Sequence, residues 1–244
     1  MTDRPVIYSG PMVRALLDGR KTQTRRLLKL RGYPGFFQFG VSDTPGYDWH
    51  FRRKDHVWED YEHTRILGFL QYQLGDRLWV RENFQAHSWA SDCVTIRYQA
   101  ETRTKGFTAQ IEQIPYPDGE KNSFKFIAPK GPDYWRPSIH MPRWASRLTL
   151  NVTDVRIERL QDITSDDAEA EGLLCGETEG GDLVWSGVHQ TYPIPEQHCH
   201  HWPEEAFAEL WNSINGPDAW STNPWVVAVS FDVHRGNIDK VGAE

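Results

Sequence analysis

The sequence predicts an α+β fold built around a small, partly closed β-barrel. Three observations lead there. Strand patterns outnumber helical ones and are not regularly interleaved with them. The run from Arg147 to Leu160 is extended throughout but changes phase: Leu148, Leu150 and Val152 share one side, then Val155 and Ile157 the other. The slip near Asp154 marks a bulge or sharp bend of the kind small barrels use. Finally, Trp225 to Val233 is apolar on both faces for much of its length, as a central strand is.

The remaining elements follow in chain order. Pro11–Asp18 reads as a helix, with Val13, Leu16 and Leu17 on one face, Pro11 at a first helical position and Gly19 just past the end. Arg77 to Glu82 alternates after the turn signal Gly75-Asp76, with Leu78 and Val80 on one side and Arg77, Trp79 and Arg81 on the other. Thr95–Tyr98 is a further strand. A short helix spans Ser165 to Glu171, with Thr164 as N-cap, Asp167 at the third position and Gly172 as terminator. The last helix runs from Pro203 to about Asn215, with Phe207, Leu210, Trp211 and Ile214 on one face. Residues 31–72 and 101–137 are rich in Gly, Pro, aromatics and charge with weak periodicity, and read as insertions. One domain over 1–244 carrying elaborated loops is the economical organisation.

Composition excludes several classes. With 39% apolar and 25% charged residues the chain is globular and not disordered. Three widely spaced cysteines, Cys93, Cys175 and Cys199, argue against a disulfide framework and for a reducing compartment. The N-terminus lacks the pattern of a signal peptide, and no apolar run approaches the roughly 20 residues of a membrane span. A cytoplasmic protein without membrane contact is expected. The net charge of −7 disfavours indiscriminate coating of nucleic acid, yet it is unevenly spread. Seven basic residues and the single acid Asp18 lie between Arg14 and Arg31, whereas no Lys or Arg occurs between Arg159 and Arg235. Binding to nucleic acid is therefore expected on one face only.

The stretch Gly19-Arg20-Lys21-Thr22-Gln23-Thr24-Arg25-Arg26 carries the most chemistry. After the first helix stops, an extended chain puts Thr22, Thr24 and Arg26 on one face, with Lys21 at the turn. A Lys beside a Thr hydroxyl is a workable base and nucleophile. The arginines supply positive field and bidentate forks for phosphate or carboxylate. The spacing of a phosphate-cradling Gly-rich loop is absent. A solvated basic turn is the plain alternative. Lys21 and Arg26 are assigned to a pocket and Arg20 to solvent; Arg25 either faces water or holds substrate.

Helix followed by Gly-x-Lys-Thr-x-Thr-x-Arg resembles the signature of the ASCH domain, a member of the PUA-like barrel superfamily. Gly75-Asp76-x-Leu78-Trp79-Val80-Arg81-Glu82, Arg136-Pro137-Ser138-x-His140-Met141-Pro142 and Asn223-Pro224-Trp225-Val226 are also similar to the longer ASCH proteins of phages and prophages. The likeness covers the signature strongly and about two thirds of the chain loosely, leaving both insertions outside. It implies a PUA-like fold. Some ASCH proteins are amidohydrolases that deacylate N4-acetylcytidine with a Lys, a Thr and a Glu. By resemblance Lys21 and Thr24 fill the first two roles. Glu171, in Ala168-Glu169-Ala170-Glu171, fills the third, shuttling a proton to the leaving amine. The implied activity is hydrolysis of an acylated or modified nucleobase or nucleoside, without a cofactor. Two alternatives stay open: a non-catalytic RNA or modified-base binding module using the same pocket, and an RNA-cleaving enzyme. The implied partner is a modified nucleoside or RNA.

Other clusters are weaker. Trp79 and Arg81 could meet a base, against a packing role for the ring. Tyr33, Phe36, Phe37 and Phe39, with Arg52, Arg53 and Lys54, form either a nucleic-acid-facing loop or a satellite core with a basic turn. His189, His198, Cys199, His200 and His201, with Cys175 upstream, fit no common zinc spacing, so no metal is assigned. His140 marks a turn and is a candidate to reach the pocket.

Overall fold

A computed structural model describes residues 2–89, 93–101, 111–115 and 134–241. Its elements are β1 (Asp3–Ile7), α1 (Gly10–Leu17), β2 (Gln23–Leu27), β3 (Phe37–Val41), β4 (Trp49–Arg52), β5 (Trp58–Tyr61) and α2 (His63–Leu67). There follow β6 (Arg77–Arg81), β7 (Phe84–Trp89), β8 (Cys93–Tyr98), β9 (Ile111–Pro115), β10 (Leu148–Arg159) and α3 (Ser165–Ala170). The chain ends with β11 (Leu174–Glu177), β12 (Leu183–Ser186), α4 (Pro203–Asn215) and β13 (Trp225–Arg235). The architecture is α+β, mostly sheet with few helices. The chain divides into two compact units, each assembled from separated stretches.

The first unit comprises residues 22–76 and 152–231. In it β13 lies between β10 and β2. β2 and β13 are antiparallel, with Thr24 opposite Val229 and Arg26 opposite Val227. Val226, Val227, Ala228 and Val229 of β13 are all buried, the two-sided burial its apolar run predicts. Helix α3 forms where the local signals put it: the Thr164 side chain accepts from the Asp167 N–H, and Gly172 adopts φ 94° past the last turn. Helix α4 starts at Pro203 and buries Ala206, Phe207, Leu210 and Trp211. Ile214 continues that stripe but is 66% exposed, because it sits in the final turn, beyond the residues the helix buries.

The weakly periodic stretch 31–72 is ordered. β3, β4 and β5 make an antiparallel sheet around Phe39, Phe51 and Tyr61, with Ile66 of α2 and Leu70 buried as well. Phe51 is fully enclosed and packs against Tyr33, Phe36 and Tyr61 at ring separations of 5.0–5.6 Å. Aromatics in this stretch thus build a satellite core. Weak periodicity has a local cause: the strands are short, Gln38 sits at φ 56°, and the register shifts between Phe37 and Gly40.

The second unit comprises residues 2–21, 77–151 and 232–244. Here β6 lies between β1, which it pairs in parallel, and the start of β10, which it pairs antiparallel. Leu78 and Val80 are buried while Arg77, Trp79 and Arg81 are half-buried, as the alternation predicts. A second sheet, β7-β8-β9, closes on Phe84, Val94, Ile96 and Tyr98, with Met141 and Ala145 completing the cluster. Most of the other expected insertion, 101–137, lies outside the described residues. Cys93, Cys175 and Cys199 are not joined in a disulfide. Among the described residues no helix is long and apolar enough to cross a membrane.

Candidate active site

Strand β2 presents different chemistry on its two faces, because successive side chains alternate. Gln23 and Arg25 share one face. Gln23 Nε2 donates to Asp167 Oδ1 at 2.9 Å, and Arg25 Nη2 donates to Asp167 Oδ2 at 2.9 Å and to Glu158 Oε1 at 2.6 Å. Arg25 Nη1 donates to the Gln23 side-chain oxygen and lies 3.5 Å from Glu171 Oε1. Phe207 of α4 lies 5.9 Å from the guanidinium. The Arg25 side chain is wholly buried, so it faces carboxylates and not water. Burial alone would raise the Asp167 pKa; the Gln23 hydrogen bond and the charges of Arg25 and Arg156 outweigh it and hold the carboxyl below its ordinary value.

Thr24 points to the opposite face of β2 and is 5% exposed, while Thr22 and Arg26 on that same side are exposed. Glu171 caps the C-terminus of α3 and is 3% exposed. The Thr22 N–H donates to the Ala170 carbonyl at 2.9 Å, tying the residue just before Glu171 to the entrance of β2. Thr24, Arg25, Arg26 and Glu171 all belong to the first unit, and within it Arg25 and Glu171 meet.

Lys21, Trp79, Arg81 and His140 belong to the second unit. Lys21 is 2% exposed; its N–H donates to the Ala15 carbonyl at 3.0 Å and its ammonium lies 5.7 Å above the Tyr8 ring. Helix α1 ends in Asp18 and Gly19 at φ 75°, which turns the chain toward Lys21. Trp79 and Arg81 are brought together, the guanidinium 5.2 Å above the indole, and Arg81 also donates to the Ile139 carbonyl. Burial lowers the Arg81 pKa. His140 is exposed in a turn of 3-10 helix, Ser138–His140. Glu82, on the other side of β6 from Arg81, is held by Arg147 through hydrogen bonds of 2.8 and 3.1 Å.

The partners of Arg25 escaped the sequence reading. Asp167 was visible only as a capping residue and Glu158 only as a strand residue, and 142 and 133 positions separate them from Arg25. The histidine cluster likewise has a partner the spacing did not reveal. Glu209 of α4 is bonded to His198 Nδ1 at 2.7 Å and to His200 Nε2 at 2.9 Å. His189 stacks on His198 at 6.3 Å. Among the described residues no group of three or more His, Cys, Asp or Glu is arranged to hold a metal ion.

Two cavities, of about 1020 and 250 Å³, are lined mainly by residues 27–39 and by 32–36 with 53–55. Lys21, Thr24 and Glu171 line neither. No family model matches the chain, and no curated protein and no solved structure matches it.

Proposed function

We propose that the protein is a hydrolase that removes an acyl group from a modified nucleobase or nucleoside, in the manner of an N4-acylcytidine amidohydrolase, on a PUA-like fold. The observation that carries the reading is the burial of Lys21, at 2% exposure, in a segment so rich in cations. A Lys is almost never fully buried unless its ammonium is paired, and burial is also what makes a lysine amine available as a base. Thr24 and Glu171 are buried as well, at 5% and 3%. The long strands β10 and β13 and the change of buried phase along β10 support the barrel reading.

The chemistry balances with these three groups. Thr24 Oγ1 attacks the amide carbonyl carbon while the Lys21 amine accepts its proton. The C–N bond breaks as Glu171 relays that proton from the Lys21 ammonium to the departing exocyclic amine. Water then attacks the Thr24 ester, Lys21 taking its proton and returning it to Thr24 Oγ1 as the ester C–O bond breaks, and the carboxylic acid leaves. Arg26, exposed on the Thr24 side of β2, holds the substrate's polar edge. One observation favours the alternative of a binding module without chemistry: Glu171 Oε1 faces Arg25, a structural duty for that carboxylate.

Incubation of purified protein with N4-acetylcytidine, followed by chromatography, separates these readings. Release of cytidine and acetate that is abolished in Lys21→Ala and Thr24→Ala supports the hydrolase. Intact substrate at high enzyme concentration removes N4-acetylcytidine from consideration. Turnover unchanged in both variants overturns the nucleophile and base assignments.

A further inference from the structure

The satellite sheet of the first unit has a second face that the core does not use. Directly opposed residues of antiparallel strands share a face. The register sets Phe37 opposite Arg52 and Arg52 opposite Trp58, so the three form one row across β3, β4 and β5. Phe37 is 36% and Trp58 48% exposed, well above the values of the aromatics on the inner side. His50 packs beside Trp58 at 4.8 Å, and the Arg52 guanidinium lies 5.7 Å above Phe37.

Charge around this row is mainly positive: the nearby acids are already engaged, Asp60 opposite His50 by the Ser42 hydroxyl, and Asp55 and Glu59 by Arg53. Arg52 instead donates only to neutral oxygens, the His56 carbonyl at 3.3 Å and the Gln38 side chain at 3.5 Å. Among the described residues Lys29, Arg31 and Lys54 form no ion pair, and all three are exposed. No acidic residue occurs from Arg26 to Ser42, in a protein whose net charge is −7. Both cavities open along the same stretch. The larger is walled by Lys29, Arg31, Phe37 and Trp225, the smaller by Lys54, and the two share Tyr33 and Phe36.

We propose that this surface, from Trp225 along Lys29, Arg31 and Phe37 to Arg52 and Trp58, is a binding track for single-stranded nucleic acid. Unpaired cations meet the phosphates, and exposed rings offer flat faces to unstacked bases. An apolar partner would not need the cations, and a duplex has no free base faces for Phe37 and Trp58. The proposal stands apart from the reading of Lys21, Thr24 and Glu171, since it uses none of those residues.

The test is fluorescence anisotropy with a labelled single-stranded 12-mer RNA, the same sequence as a duplex, and vesicles containing phosphatidylserine, over a salt series. Affinity for the single strand should fall with salt at a log–log slope of about −2 to −3, for roughly three to four phosphate contacts. Phe37→Ala and Trp58→Ala should each weaken binding about 5- to 150-fold. Arg52→Gln should lower both affinity and slope. Leu183→Ala, at an exposed apolar position of β12, should bind as the wild type does. Circular dichroism of each variant establishes that the fold is kept, and quenching of tryptophan fluorescence by the unlabelled 12-mer gives a second readout. The track is refuted if the single strand does not bind at low salt, if the duplex or the vesicles bind as tightly, or if folded Phe37→Ala and Trp58→Ala bind normally.

Discussion

Arg25 and Asp167 meet at 2.9 Å and join strand β2 to the first turn of helix α3. Glu158 of β10 and Glu171 at the end of α3 reach the same guanidinium. A segment that reads as a basic surface turn therefore contributes one of its cations to the interior of the first unit.

Removing that cation should be costly. Arg25→Ala leaves Glu158, Asp167 and Glu171 around an empty position, a loss of about 3–5 kcal/mol for a broken buried ion pair. Lys29→Ala, at an exposed site without an ion pair, should stay within about 0.5 kcal/mol of the parent. Urea unfolding of the two variants measures the contrast, and equal midpoints would remove Arg25 from the interior.

Acid should destabilise the fold through Asp167 and Asp3. At Asp3 burial acts to raise the pKa, but hydrogen bonds and charge from Arg77 and Arg143 prevail and lower it from the ordinary 3.8. Asp167 is lowered from the same value. Because both folded values lie below the unfolded one, the unfolded chain takes up protons first. Their stabilisation is complete above about pH 4 and is lost as pH falls through the folded values. The urea midpoint should change little from these groups between pH 6 and about pH 4.5 and drop as pH falls below about 4, and Asp167→Asn should show a shallower drop. A midpoint that holds steady to pH 3 would contradict the assignment.

Arg147 should not tolerate lysine. Its fork engages both oxygens of Glu82, and its guanidinium stacks 4.0 Å above the Tyr98 ring. Lysine offers neither the fork nor the plane. Arg147→Lys should lose about 1.5–3 kcal/mol, the scale of a hydrogen bond to a charged group. Thermal and urea denaturation report the loss directly; a variant as stable as the parent would show that the pair adds nothing.

Gly187 marks a close approach to α4. A Cβ built there comes within 2.7 Å of the Ala206 carbonyl oxygen and 2.6 Å of Leu210 Cβ. Backbone cannot swing aside as a side-chain tip can, so Gly187→Ala should cost about 1–3 kcal/mol. Hydrogen exchange in α4 should quicken in step. Unchanged protection would indicate that the helix shifts freely.

What was legible in the sequence was local. Thr164, Asp167 and Gly172 frame α3 within nine positions, and Pro203 opens α4, because caps and breakers act on their immediate neighbours. Burial of Leu78 and Val80 followed from simple alternation. The acids around Arg25 and the row Phe37–Arg52–Trp58 were not legible. Each depends on strand register and on contacts between distant stretches, which no short window contains. Lys21, Thr24 and Glu171 were singled out by motif and resemblance, and their burial is a property that residue type alone would have argued against.

The pairing of β2 with β13 also sets a timetable. Leu27 and its opposite number Val226 are ~200 residues apart, and at about 5–20 residues per second a ribosome needs roughly 10–40 seconds to deliver the second after the first. Throughout that interval β2, with its adjacent cations Arg25 and Arg26, has no strand to pair with on the β13 side. The pairing of β2 can form only after β13 has been made, whatever else of the chain has already folded. The rate at which the intervening stretch is synthesised therefore sets when β2 can join its sheet, a control that the stability of β2 alone does not describe.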